Sequence, residues 1–143
     1  MGMKMTKKSG VQKSNPRKKI IDSLDREFSK YIRSIGYCEK CFRGKSVKLE
    51  TAHYLTRKHL NIRWDKDNAI CLCENCHKWS HRNPELFHFF VALLKKPYAT
   101  ERIKRLGYQE AKPIRTSTLK FLLKSMRLCN ASGGREYENI EEF

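Results

Sequence analysis

The sequence predicts an α+β fold in which a small unit of two short strands and a helix is embedded in additional α-helices. Apolar residues recur at three- and four-residue spacing in residues 20–35, 84–94 and 117–128, which is typical of amphipathic helices. Two short apolar runs with strand-like patterning, at 47–51 and 69–72, lie between the first two helices. A chain of 143 residues has the length of one domain, which excludes a large multidomain enzyme.

The first helix is indicated by apolar residues that share one helix face: Ile20, Leu24, Phe28 and Ile32. Gly36 is placed to end this helix, because glycine is common just after a helix C-terminus. We expect the helix to be a core element that covers the segment after it. The first strand of that segment is expected to end at His53.

The later helices are delimited mainly by prolines. The pattern becomes helical from about Cys73, and Pro84 begins another helix that Pro97 ends. Further helices are expected over residues 99–106 and 117–128. The last of these is either a core helix or the seam of a possible homodimer, since periodicity does not separate the two.

The balance of charge predicts a polyanionic partner. Lys and Arg number 31 against 15 Asp and Glu, which gives a formal net charge of +16. Such a charge favours nucleic acid over an acidic or neutral small substrate. DNA is the expected partner, although charge alone does not distinguish it from RNA because both polymers carry phosphates.

The charges also predict how the chain is divided. Residues 1–19 contain basic residues and no acidic ones, and are expected to be a disordered basic arm that either solubilises the chain or grips phosphates. Residues 20–128 are expected to form a single domain, with a core at about 37–83 and a helical extension at 84–128. Residues 129–143 are expected to be an acidic C-terminal tail.

No segment predicts membrane insertion or secretion. The longest apolar stretches fall far short of the ~20 residues that span a bilayer, and the N-terminal residues lack the apolar centre of a signal peptide. A cytoplasmic protein with no membrane partner is therefore expected.

Four of the six cysteines form two Cys-x2-Cys pairs: Cys38, Cys41, Cys73 and Cys76. Each two-residue gap lets both thiolates of a pair face one ion, and the intervening chain can fold back to bring the pairs together. The spacing predicts a structural zinc site. The other two cysteines, Cys71 and Cys129, have no such partner and are expected to pack in the core.

A set of polar residues follows the same order along the chain: His53, Asn68, His77 and His81. His77 directly follows the last zinc cysteine. His77 and His81 are four residues apart in a predicted helix, so they share one face and are placed to chelate one divalent cation.

The cysteine pairs together with His53, Asn68 and His77 resemble the HNH endonucleases, whose ββα-metal core consists of two short strands and a helix. The resemblance covers residues 38–81 of the chain. A closer resemblance is to phage recombination nucleases of the NinG or Rap type. It rests on Ala-His-Tyr around His53, on Arg-Trp-Asp from Arg63 with Asp-Asn at 67–68, and on Cys-x2-Cys-His up to His77. The residues that follow belong to the same pattern: Trp79, His81, Asn83 and Pro84. A phage-encoded protein of this kind acts in the host cytoplasm.

The resemblance implies a catalytic role for each residue. His53 would be the general base that activates water, and Asn68 would hydrogen-bond to the backbone near His53 and orient its imidazole. His77 and His81 would bind Mg²⁺ or another divalent cation such as Mn²⁺. The expected reaction is hydrolysis of a DNA phosphodiester bond to a 5′ phosphate and a 3′ hydroxyl.

One position departs from the family pattern. Many members carry an Asp or His metal ligand directly before the base, and this chain has Ala52. Two replacements are open, namely water or Glu50, which lies on the same strand face as Ala52. The departure also leaves open a catalytically inactive DNA-binding protein held by zinc.

The loop after His53 carries the expected DNA contacts: Arg57, Lys58 and Arg63. Their alternative role is generic surface charge, and Trp64 beside them is expected to pack in the core. The basic helices after Pro84 suit a branched or distorted duplex. Cleavage is therefore expected to be structure-selective, and the resemblance implies a role in phage DNA recombination or processing. A homing or restriction-type HNH nuclease is the alternative within the same enzyme class.

Overall fold

The computed structural model describes residues 14–133, and within them the chain folds into five α-helices and one pair of antiparallel strands. The elements are α1 (Pro16–Arg33), β1 (Leu49–His53), β2 (Ala69–Cys73), α2 (Glu74–Arg82), α3 (Pro84–Lys95), α4 (Pro97–Tyr108) and α5 (Thr116–Ala131). A single 3-10 turn, Lys66–Asn68, precedes β2. The predicted mixture of helices and a small strand pair is therefore confirmed. In this part of the chain no helix combines the length and apolar character needed to cross a bilayer.

The first helix begins earlier than expected. Asn15 accepts a hydrogen bond from the Arg17 amide on its side-chain oxygen, at 3.0 Å, and Pro16 occupies the first turn. Both features favour a helix start. Residues 16–19 therefore belong to α1 and not to the predicted basic arm, whose residues 1–13 lie outside the described residues.

The last helix extends further than expected. It continues to Ala131 because Cys129 is only 6% exposed and packs in the core. Residues 129–131 are therefore helical and not part of the predicted acidic tail, of which residues 134–143 lie outside the described residues. The buried side chains of α5 face α1, so this helix is a core element.

The strands pair in one register, with Leu49 opposite Cys73 and His53 opposite Ala69. The other edge of β2 is covered by Glu39. The Glu39 amide donates to the Cys71 carbonyl at 2.9 Å, and the Cys71 amide donates to the Glu39 carboxylate at 2.7 Å. Within the described chain, the open edge of the sheet is therefore that of β1.

The sheet separates two apolar clusters. One contains Phe28 of α1 and Met126 of α5, and the other contains Val91 of α3 and Ile103 of α4. Both helical layers contact the strands, as expected for a small sheet that cannot be stable alone.

Asp25 of α1 connects this helix to the loop between the strands. Its carboxylate accepts hydrogen bonds from Arg63, at 2.9 and 2.5 Å, and from the Trp64 indole, at 2.9 Å. Burial opposes ionisation of Asp25, but these hydrogen bonds outweigh it and lower the pKa of the carboxyl group. Trp64 is 2% exposed, which confirms that it packs in the core.

We predict that Asp25→Ala lowers the free energy of unfolding by about 2–4 kcal/mol, because it leaves Arg63 as a largely buried cation without its carboxylate. Urea denaturation of the two proteins measures the change. The matched control is Asp22→Ala in the same helix, where an exposed pair with Lys18 at 3.3 Å is lost. That variant should change stability by less than about 0.5 kcal/mol. Equal effects of the two substitutions would contradict this account of Asp25.

Candidate metal centre and histidine cleft

Four cysteine thiols meet where the first cysteine pair approaches the junction of β2 with α2. Their sulfur atoms all lie within 4.8 Å of one another, and those of Cys41 and Cys73 are 3.7 Å apart. Thiolates that bind one ion tetrahedrally at about 2.3 Å are separated by about 3.8 Å, so the spacing fits a single ion. The chain thus brings together the four predicted ligands, Cys38, Cys41, Cys73 and Cys76, as a group that could bind a metal ion such as zinc.

The local backbone favours the thiolate form that metals require. In each pair the amide of the second cysteine donates to the first sulfur at 3.5 Å, from Cys41 to Cys38 and from Cys76 to Cys73. Burial alone raises the pKa of Cys38, but hydrogen bonds from backbone amides outweigh it and lower this pKa to about 7. A lowered thiol pKa increases the fraction available as a ligand.

The two remaining cysteines lie outside this group. Cys71 is fully buried and Cys129 is 6% exposed, and both belong to the cluster between α1, α5 and the sheet. Burial raises the pKa of Cys71 to about 12, so its thiol stays protonated and apolar.

We predict one zinc ion per chain in the purified protein. The Cys41→Ser variant should lose both the zinc ion and the cooperative unfolding transition. Elemental analysis and thermal unfolding measure the two effects. Cys129→Ala is the control, since it removes a thiol outside the group and should keep its zinc. Zinc retention by Cys41→Ser would contradict a four-cysteine site.

A cleft of about 670 Å³ follows the open edge of β1. Its walls are formed by α1 on one side and by α2 and the start of α3 on the other. Three of the predicted catalytic residues line this one cleft: His53, His77 and His81. Residues that are 28 positions apart in the sequence are therefore brought to a common space.

His53 lies at the end of β1 and faces α1, where its ring is 5.9 Å from that of Phe28. Its Nε2 atom is buried and has no hydrogen-bond partner within the described chain. Burial lowers the pKa of His53 to about 4, and the nearby positive charge of Arg57 acts in the same direction. The Arg63 backbone acts in the opposite direction, but the lowered pKa leaves the imidazole neutral at physiological pH.

Asn68 holds the backbone just beyond His53. Its side-chain oxygen accepts a hydrogen bond from the Leu55 amide at 2.7 Å, and its amide group donates to the carbonyls of Leu55 and Ile62 at 3.1 Å each. Asn68 is fully buried, and its own carbonyl accepts from the Tyr54 amide at 2.8 Å. The side chain thus fixes both ends of the loop that follows β1.

His77 and His81 lie one turn apart on α2, with their ring centroids 4.8 Å apart. The Nδ1 atom of His77 is 2.7 Å from the Glu50 carboxylate, which hydrogen bonds from His77 and Lys48 keep ionised by lowering its pKa. An ionised carboxylate can only accept, so His77 donates from Nδ1 and its Nε2 carries the free lone pair when the ring is neutral.

No carboxylate joins the two histidines as a ready-made third ligand. In residues 14–133 the four cysteines are the only group of three or more His, Cys, Asp or Glu side chains whose ligand atoms converge. Ala52 is 1% exposed, and Glu50 is hydrogen-bonded to His77. Water and Glu50 were the two replacements considered for the metal ligand missing at position 52. Of these, Glu50 lies next to a ring nitrogen of His77, a proposed cation ligand.

The three expected DNA contacts are placed very differently. Arg57 lines the cleft with its side chain 62% exposed, and Lys58 is exposed but outside the cleft lining. Arg63 is 18% exposed, and its guanidinium binds Asp25 and the Arg57 carbonyl. Arg63 therefore connects the loop to α1 and does not line the cleft, and its contact with DNA stays a prediction.

Three further residues of the cleft wall were missed by the sequence analysis: Arg33, Lys48 and His88. Lys48 pairs with Glu50 at 3.0 Å, and a two-residue spacing in a strand was a signal that could have found it. His88 donates a hydrogen bond from Nε2 to the Tyr54 carbonyl, 3.0 Å away, across 34 residues of chain. No local pattern could have placed Arg33 or His88 here.

No protein-family model, curated protein or solved structure matches this chain. The function assigned to the cleft consequently depends on its own residues and their geometry.

We predict that His53 makes folding stability depend on pH. Its folded pKa of about 4 lies below the value of 6.5 for an unperturbed histidine, so the unfolded chain binds the extra proton as pH falls between these values. Stability is complete above the upper value and decreases by up to about 3 kcal/mol as the pH reaches the lower one.

Free energies of unfolding at about pH 7 and about pH 4.5 measure this decrease. His53→Gln cannot titrate, so its loss of stability over the same interval should be smaller by most of that amount. Parallel pH curves for the two proteins would show that His53 does not titrate with a lowered pKa.

Proposed function

We propose that this chain is a metal-dependent endonuclease of the HNH type that hydrolyses DNA phosphodiester bonds. The observation that carries the proposal is a neutral, mostly buried His53 that lines the same cleft as the His77 and His81 pair. A general base and a pair of metal-ligand side chains facing one space are the components that phosphodiester hydrolysis requires.

His53 acts as the general base in this proposal. A ring nitrogen of the neutral imidazole takes a proton from water, the resulting hydroxide attacks phosphorus, and the bond from phosphorus to the 3′ oxygen breaks. The leaving oxygen gains a proton and the products are a 5′ phosphate and a 3′ hydroxyl. Asn68 positions the base by fixing the backbone of Tyr54 and Leu55, directly after His53.

The Nε2 atoms of His77 and His81 are the proposed cation ligands. Glu50 orients His77 from behind through Nδ1, as carboxylates commonly do for metal-bound histidines. A divalent cation bound there would neutralise charge on the scissile phosphate and stabilise the leaving 3′ oxygen. Two imidazoles without a carboxylate ligand bind Mg²⁺, which prefers oxygen, less well than first-row transition ions, among which Mn²⁺ is the closest to Mg²⁺ in its preference for oxygen.

The cationic side chains around the cleft support a polyanionic substrate. Arg33, Lys48 and Arg57 come from three separate segments and all line it. Contacts of this kind bind phosphates without reading sequence. Together with the net charge of +16, they favour a structure-selective nuclease that acts on branched or recombining DNA, as the resemblance to phage recombination nucleases implies.

A second candidate function is a zinc-held DNA-binding protein without catalysis. It is favoured by the buried Ala52 at the position where many HNH enzymes carry a metal ligand. The two candidates differ in cleavage and not in binding, so one assay separates them.

We predict that the protein cleaves end-labelled DNA in Mn²⁺, and that His53→Ala lowers the rate at least about 100-fold while binding is kept. Cleavage rates on linear, flapped, single-stranded and four-way-junction DNA show which structure the protein prefers. The matched control is His59→Gln, because His59 bonds to the Gly107 carbonyl and does not line the cleft. It should retain cleavage.

Glu50→Gln gives an independent check of the cation site, since it should raise the Mn²⁺ concentration that half-saturates cleavage more than it lowers the maximal rate. Binding of every substrate with no cleavage in Mn²⁺ or Mg²⁺ would favour the non-catalytic candidate. Cleavage by His53→Ala at the rate of the unsubstituted protein would reject His53 as the base.

A further inference from the structure

The first cysteine pair carries two aromatic rings on its outer surface. Phe42, directly after Cys41, is 75% exposed, and Tyr37, directly before Cys38, is 39% exposed. The ring centroids are 6.3 Å apart and the ring planes are inclined by 27°, so the rings stack on each other. Neither residue belongs to the two apolar clusters that form the core.

Phe42 occupies this place in an unfavourable backbone conformation. Its φ is +60°, in the left-handed region that glycine adopts freely and a bulky side chain does not. The turn is fixed by two hydrogen bonds of 2.8 Å, from the Phe42 amide to the Cys38 carbonyl and from the Cys38 amide to the Arg43 carbonyl. Folding alone would favour glycine at position 42, since the phenyl ring also buries little apolar surface.

The charge around the two rings is mainly positive. Residues 37–48 contain four basic residues and one acidic residue, Glu39, whose carboxylate accepts a hydrogen bond from the Cys71 amide at the edge of β2. Arg43 and Lys45 are exposed, and the Lys45 side chain lies beside Gly36, the neighbour of Tyr37. Exposed rings among cations suit single-stranded nucleic acid, whose bases stack and whose phosphates pair with the charges.

The rings also lie close to the histidine cleft. Arg33 and Lys48 line the cleft, and Tyr37 follows Arg33 by four residues. Four residues span at most about 14 Å, which is about four stacked nucleotides at 3.4 Å each. A single strand could therefore occupy the cleft and reach the rings.

We infer that Tyr37 and Phe42 form a stacking platform for an unpaired base of a DNA strand that enters the cleft. The inference rests on the DNA-binding part of the proposed function and adds to it the residues that recognise unpaired DNA. Arg43 and Lys45 bind the phosphates on either side of the stacked base. The platform gives the protein a preference for flaps and single strands over continuous duplex.

The test uses the full chain without added divalent cation, so that binding is measured separately from cleavage. Fluorescence anisotropy gives affinities for single-stranded, flapped and fully paired oligonucleotides of equal length. Phe42→Gly removes the ring and relieves the backbone, so we expect about tenfold weaker binding of single-stranded and flapped DNA, with duplex affinity changed less than about twofold. The unfolding temperature should not fall.

Two matched variants and one direct readout accompany it. Tyr37→Leu should weaken binding in the same substrate-dependent way. Phe89→Ala removes a ring that is 65% exposed on α3 and should change no affinity. A 2-aminopurine base at the flap junction should be quenched by the unsubstituted protein and by Phe89→Ala, and not by Phe42→Gly.

The outcomes separate this inference from the proposed function. If Phe42→Gly binds all substrates as the unsubstituted protein does, or weakens all of them equally, the platform is rejected whether or not the protein cleaves. Failure to bind any DNA rejects both. If Phe42→Gly instead abolishes self-association in analytical ultracentrifugation with DNA affinity unchanged, the rings are a contact between copies and the inference is overturned. Selective weakening in this test, combined with no cleavage in the separate Mn²⁺ and Mg²⁺ assays, leaves the platform standing and removes the nuclease.

Discussion

Convergence of the four cysteine thiols is the constraint on which the rest of this fold depends. A two-stranded sheet is not stable in isolation, and here one edge of it is covered by the segment between the first two cysteines. Cys73 ends β2 and also begins α2, because its sulfur accepts a hydrogen bond from the Cys76 amide at the helix start. The same residue therefore determines where the strand becomes a helix. His77 directly follows Cys76, so the cysteine group determines where the histidine pair lies.

The loop beside the cleft is held by buried polar side chains, which are unusual in so small a core. Asn68 is fully buried, and Asp25 and Arg63 form a largely buried ion pair, yet all of their described hydrogen bonds serve to hold the loop after β1. His53 is the exception, because its Nε2 is buried without a partner. A buried polar atom left unpaired destabilises the folded state.

Much of the architecture could be predicted because it is encoded locally. Helical periodicity, prolines and the Cys-x2-Cys spacing each involve neighbouring residues, and the start of α1 was also marked by the Asn15 and Pro16 pair, which sequence analysis overlooked. What could not be predicted are contacts between distant residues. Nothing in the sequence around Arg63 reveals its partner Asp25, 38 residues earlier. Arg33 reaches the cleft through the packing of α1, which no local pattern specifies.

The hydrogen bonds of Asn68 have a consequence for how such a protein could evolve. One side chain holds the carbonyls of Leu55 and Ile62 together, so the two ends of the intervening loop are fixed independently of what lies between them. Substitutions in residues 56–58, at the exposed start of the loop, can change what the protein binds there without moving His53, which precedes them. If the chain is the nuclease proposed above, diversification of substrate preference and preservation of the general base are thereby separated within a single short stretch of chain.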